Sequence, residues 1–123
     1  MAVVYPTAVK NARLAAVVTQ IGGTGVLEIG TTGMATILAT IALDATAGTA
    51  ASGVLTFSGF PKSDTAADAT GTAAAARIRT ATGGTDIVTG LTVGLSASDI
   101  ILDSVSITTG QTVTITAASI THA

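Results

Sequence analysis

The feature that most constrains this chain is a change of period at Gly22-Gly23-Thr24-Gly25. Before it, Leu14, Val17, Val18 and Ile21 recur at i, i+3, i+4 and i+7, with Val9 and Ala16 alongside, the spacing of one apolar stripe on a helix. Pro6 precedes that segment, Thr7 is placed to cap it, and the paired glycines stop it, so the spacing predicts a helix over 7–21. Lys10, Asn11 and Gln20 fall largely off the stripe, and Arg13 sits near its edge. After Gly25 the apolar residues alternate, as in Val54-x-Thr56, Arg77-Ile78-Arg79 and Val113-x-Ile115. That is the period of half-buried antiparallel strands, whose side chains point to opposite faces in turn.

The alternation predicts strands over 26–30, 35–43, 53–58, 75–80, 86–93, 99–108 and 111–121. Turn chemistry separates them at 31–33, 44–48, 81–84, 94–98 and 109–110. About seven short strands at this spacing predict a mainly β fold. The expected form is an antiparallel β-sandwich or jelly-roll-like domain with one short N-terminal helix. The apolar positions of 99–108 shift phase between Leu102 and Val105, which predicts a β-bulge around Asp103 and Ser104. The expected organisation is a single domain over 1–123: an arm at 1–6, the helix, and a β-sandwich from 25 onward with a long loop at 60–74. The loop holds Pro61, Asp64, Asp68 and the first two alanines of the run 73–76, and loops of that length in compact domains are usually functional or held by a partner.

Composition matters most for the chemistry it withholds. The 24 Ala, 24 Thr and 14 Gly make half of the 123 residues, while charged residues are 10% and aromatics 2%. Five Lys and Arg against seven Asp and Glu cannot line a nucleic-acid groove, which needs many phosphate contacts. The absence of Cys excludes a disulfide framework, thiolate zinc and thiol catalysis. The one histidine, His122, stands next to the end of the sequence, with no Gly-x-Ser-x-Gly elbow to accompany it. The expectation is a non-enzyme without cofactor or metal. Mean hydropathy is +0.70, yet every apolar run is interrupted within a few residues by Thr, Ser, Gly or Asp, so no stretch of about 20 residues reads as a membrane span. The first residues lack the charged and apolar regions of a signal peptide, giving an expectation of synthesis in the cytoplasm.

The motifs that resemble chemistry read better as structure. Gly23-Thr24-Gly25 follows a helix, whereas a phosphate-binding loop precedes one. Asp64 and Asp68, with Ser63 and Thr65, are fewer oxygen ligands than calcium usually gathers and read as a solvated turn. Asp99 and Asp103 are placed to pair with Arg77 or Arg79 on a neighbouring strand. Phe57 and Phe60 are expected to anchor the core or an interface. A core of Ala, Val, Ile and Thr contributes little transfer energy per residue. Few edge lysines give little protection against strand-edge association. Both point to a protein that gains stability by assembling.

Several segments also resemble a known class. They are Tyr5-Pro-Thr-Ala-Val-Lys-Asn-Ala-Arg13, Gly25-Val-Leu-Glu-Ile-Gly30 and Ala35-Thr-Ile-Leu-Ala-Thr-Ile-Ala-Leu43, followed by Ser63-Asp-Thr-Ala-Ala-Asp-Ala-Thr-Gly-Thr72 and Ser104-Val-Ser-Ile-Thr-Thr-Gly-Gln-Thr-Val-Thr114. In that order the chain resembles small virion structural proteins of tailed bacteriophages, in particular capsid decoration (cement) proteins. Ala75 and Ala76 stand where family members often carry bulky aromatics. The resemblance implies a capsid-surface protein, assembled in the host cytoplasm, whose partner is the major capsid protein. It further implies a homo-oligomer, a trimer in particular, binding neither nucleic acid nor membrane. The expected contact residues are Val3, Val4, Tyr5 and Pro6 in the arm, Phe60, Lys62 and Asp64 in the loop, and Arg77 and Arg79 beyond it. The alternatives are another virion component, such as a tail, fibre-base or head–tail joining protein, or a stand-alone surface-binding β-sandwich module.

Overall fold

The computed structural model describes residues 4–121, so the expected contact residue Val3 and the lone His122 lie outside the described residues. With 43% of residues in strands and 18% in helix, the chain is mainly β. The helix α1 occupies Thr7–Ile21, matching the 3.6-residue spacing. Its cap differs from expectation. Pro6 is the N-cap and its carbonyl accepts from Val9 and Lys10, so Thr7 is the first helical residue and makes no capping bond. At the other end Gly22 turns to φ +74 and its N–H donates to Val18, a backbone conformation that a glycine adopts without steric cost.

The strands follow as β1 (Val26–Gly30), β2 (Ile37–Ala42), β3 (Gly48–Ala51), β4 (Val54–Phe57), β5 (Lys62–Asp64), β6 (Gly71–Thr72), β7 (Ala75–Arg79), β8 (Asp86–Leu91), β9 (Val93–Gly94), β10 (Ile100–Leu102), β11 (Ser106–Ile107) and β12 (Val113–Thr121). One sheet runs β2-β1-β7-β8 and the other β3-β4-β12-β10-β9, with β5 also on β12. All pairings are antiparallel except β9 with β10. The result is a β-sandwich-like fold whose shared core takes Leu27, Ile29, Ala76 and Ile78 from one sheet. Leu55, Phe57, Ile100, Val113 and Ile115 come from the other. Helix α1 packs on β3, β4 and β8, laying Leu14 and Ile21 into the same core.

Four details depart from the alternation. The segment 44–48, read as a turn, ends where β3 begins, and β3 is held by its pairing with β4 and by the helix rather than by its Gly and Ala. The segment 60–74, read as a loop, contains β5 and β6. The bulge expected at Asp103 and Ser104 lies instead on the partner strand. Ile101 pairs with Ala117 and Leu102 with Ile115, so Thr116 is the extra residue, and both Thr116 and Ala117 face out. The chain beyond Leu102 then leaves this sheet, and β11 pairs with β6. Finally, Val9 and Ala16 are exposed rather than on the buried stripe, while Lys10 and Asn11 are half-buried toward the β3–β4 hairpin.

The outer edge of β2 is closed by the last residue of β5 and the segment that follows it. Asp64 Oδ2 accepts from Thr40 N–H at 3.0 Å, Asp64 Oδ1 accepts from Ala66 N–H at 3.0 Å, and Asp68 N–H donates to Leu38. A carboxylate that satisfies two backbone donors at a sheet edge blocks strand addition there. The variant Asp64→Ala is therefore expected to lose about 2 kcal/mol of stability, since it leaves a part-buried N–H without its acceptor. Chemical denaturation checks the loss, and faster amide hydrogen exchange at Thr40 checks its location.

Candidate interaction surface

The charged positions singled out in the sequence are occupied within the chain. Antiparallel register places Glu28 of β1 opposite Arg77 of β7, and Val26 opposite Arg79, on the outer face of the first sheet. Glu28 is buried, with its carboxylate accepting from Arg77 Nε at 2.7 Å and lying 3.8 Å from Arg79 Nη1. Arg79 Nε sits 2.9 Å from Asp86 Oδ1, but it is out of line for a hydrogen bond. The two arginines thus share Glu28, and Asp86 on β8 ends the row. This corrects the expected pairing with Asp99 and Asp103. Asp99 accepts from the N–H and hydroxyl of Thr92, and Asp103 accepts from Thr114 N–H. The signal for the true partner was a single acid in the otherwise apolar strand Val-Leu-Glu-Ile, since a buried carboxylate requires a cation.

Lys62 donates to Asp44 Oδ1 at 2.6 Å, and its ammonium lies 5.9 Å from the Phe60 ring centroid. Asp64 is committed to the β2 edge as described. The reading of 63–68 as a solvated turn is corrected in its first part: Ser63 and Asp64 lie in β5 and Asp64 is half-buried on the β2 edge, whereas the chain turns only beyond it, where Ala66 N–H donates to Asp64 Oδ1. Among the described residues no group of three or more acidic, histidine or cysteine side chains could hold a metal ion. No helix among the described residues is long and apolar enough to cross a membrane.

Phe57 is buried in the core and Phe60 is half-buried beside a shallow groove of about 370 Å3. The groove arises where β4 and β5 lie end to end along one side of β12. Strand β4 pairs with Ser119–Thr121 and β5 with Val113–Ile115, leaving residues 116–118 of β12 without a ladder partner on that side. Val54 and Thr56 of β4 and residues 116–119 of β12 line it together with the two phenylalanines.

The arm residues present the most exposed apolar surface. Val4 is 80% exposed, and Tyr5, Pro6 and Val9 are also exposed. Sequence spacing had placed Val9 inward. The Arg13 guanidinium stacks 4.6 Å over the Tyr5 ring, which orders the ring against the first turns of α1. The helix itself is fixed to the sandwich by Asn11, whose Oδ1 accepts from Gly53 N–H at 2.9 Å in the β3–β4 hairpin. Gly53 is at φ +75, and the Lys10 stem lies across it. An extended apolar segment is therefore held on a rigid base rather than on a free loop. A fourth large apolar side chain, Leu95, is exposed in the turn that follows β9. The structure thus joins Arg77 and Arg79 through Glu28 and sets Lys62 beside Phe60, while Val4, Tyr5 and Pro6 are exposed next to one another in the arm. In comparisons with family models, curated proteins and solved structures, the chain matches none.

Proposed function

We propose that this protein is a non-enzymatic structural component of a bacteriophage virion, acting as a capsid decoration protein that bridges major capsid subunits. The observation that carries the reading is the exposed apolar segment Val4-Tyr5-Pro6 with Val9, anchored on a β-sandwich through Asn11 and Gly53. Exposed apolar groups that are contiguous and rigidly based mark interaction sites, because water gains nothing by surrounding them. The sequence resemblance supplies the partner. In this reading the mechanism is area rather than chemistry: each copy covers a subunit boundary, and many copies together resist outward pressure on the shell.

The charged residues then act as scaffold. Arg77, Arg79 and Lys62 hold sheet faces and loop in place, and capsid contact falls chiefly to the arm. Stoichiometry in purified particles tests this directly. A copy number comparable with that of the major capsid protein is expected. A few copies confined to one vertex or to the tail would instead assign the chain to a connector or tail position.

A further inference from the structure

The groove beside Phe60 is lined by no residue of the arm or of α1, and its wall is firmly built. Between β4 and β5 the chain leaves β12 at residues 58–61 and is pinned there. Ser58 N–H donates to Ala47, and Lys62 donates to Asp44 Oδ1. Gly59 lies so close to the Asp44 carboxylate that a Cβ would collide with it. Phe60 is thereby held half against the core, and the rest of it bounds the groove. The floor is the outward face of β4 and β12. Thr56 of β4 stands opposite Ser119 of β12 in register, with Cβ atoms about 5 Å apart. Neither hydroxyl has a hydrogen-bond partner among the described residues, so each remains able to donate and to accept.

These features select the occupant. An extended peptide cannot run along the open stretch, because β4 and β5 hold the same edge of β12 on either side of residues 116–118. No charged side chain lines the groove, and the ammonium beside Phe60 is already paired with Asp44. A charged ligand would therefore lose hydration without gaining a counter-ion. A wholly apolar ligand would cover two hydroxyls and leave them without partners. A compact neutral ring with one apolar face and hydroxyl groups at its rim meets all three conditions.

We infer that the groove binds a neutral hexopyranose ring, its C–H face against Phe60 and its hydroxyls on Thr56 and Ser119. The face of an aromatic ring is electronegative and attracts the weakly positive C–H groups of a sugar. The two protein hydroxyls fix the orientation of the sugar by donating and accepting together. At about 370 Å3 the groove lies near the lower end of the usual range for small-molecule sites, so it takes a single ring. So small a contact gives a dissociation constant on the order of millimolar. Binding by the isolated chain separates this site from any contact with a capsid.

Nuclear magnetic resonance titration of the full chain with glucose, galactose and mannose, and with their methyl glycosides, tests it. At least one of these sugars is expected to shift the amides of Thr56, Phe60 and residues 116–119 saturably. Equal binding of the two forms assigns the site to any exposed ring, and preference for the methyl glycoside assigns it to the end of a glycan chain. Glycerol, which has the hydroxyls without the ring, and cyclohexanol, which has the ring with one hydroxyl, are expected to give no saturable shift. Phe60→Leu, which keeps the apolar contact and loses the aromatic face, should raise the dissociation constant at least about fivefold. Thr56→Val with Ser119→Ala, at positions whose hydroxyls hold nothing in the fold, should do the same. The dispersion of each spectrum confirms folding. No saturable shift with any of the sugars would overturn the inference. So would a response to cyclohexanol equal to that of the sugars, or an unchanged dissociation constant in both folded variants.

Discussion

Glu28→Ala is expected to destabilise the fold by about 3 kcal/mol, because it strands two half-buried guanidinium groups without their shared carboxylate. The glutamate side chain is only 6% exposed and the arginines are 22% exposed, so neither cation recovers full hydration when the acid is removed. Arg77 suffers most. Its Nε bond to Glu28 is 2.7 Å, whereas Arg79 retains Asp86 at 2.9 Å. Removing the pair together, as Glu28→Met with Arg77→Met, is expected to return most of the loss, since apolar stems then cover β1 and no uncompensated charge remains. By contrast Asp86→Ala is expected to cost under about 1 kcal/mol, because Asp86 is 43% exposed and water replaces it readily. Denaturant titration of the three variants settles the ordering. A single Glu28 substitution that costs no more than Asp86→Ala would mean the row of charges is merely superficial.

Ile78→Ala is expected to cost about 3–4 kcal/mol. Ile78 is fully buried on β7, an inner strand of the first sheet, facing Leu27 on β1 and Val88 on β8 in register. The largest fully buried side chains of this protein are all Ile, Leu and Val, and its core uses alanine at Ala39, Ala47 and Ala76. Small neighbours cannot swing in to fill a new cavity, and the sheet backbones are held by their ladders. The site therefore collapses little. Ile78→Val, which removes one methylene, should cost only about 1 kcal/mol. Guanidinium denaturation of both variants measures the pair. Equal losses would indicate that the core is more plastic than its packing implies.

These two residues also show what the sequence made legible. Ile78 could be placed inside from its alternation with Arg77 and Arg79, because a strand with one buried face has only one acceptable phase. The same alternation put both arginines on the outer face, but the partners expected for them, Asp99 and Asp103, were the wrong ones. Glu28 lies 49 positions away, and only the antiparallel register of β1 with β7 brings the two together. The helix boundaries were legible because Pro6 and Gly22 act locally. Strand β3 was not, since Gly48, Ala50 and Ala51 carry little strand preference and the segment depends on β4 and α1 for its conformation. The break after Leu102 was visible as a phase shift, but its cause was not. The bulge sits on β12, and the displaced segment is captured by β6, a pairing that no local pattern encodes. The exposure of Val9 follows from the same limit. Period alone gives a stripe, and the position of the hairpin decides which flank of that stripe is covered.

The arm is the part of the candidate surface on which the proposed function depends. It contributes little to the core, since Val4, Tyr5 and Pro6 are exposed, so its removal separates binding from folding. The decisive measurement is the occupancy of isolated capsids by the full chain and by a chain lacking residues 1–6, at matched concentrations, with thermal melting confirming that both fold. Saturable binding of the full chain is expected, together with a loss of affinity of at least about tenfold for the shortened one. Undiminished occupancy by the shortened chain, or no capsid binding by the full one, would contradict the account.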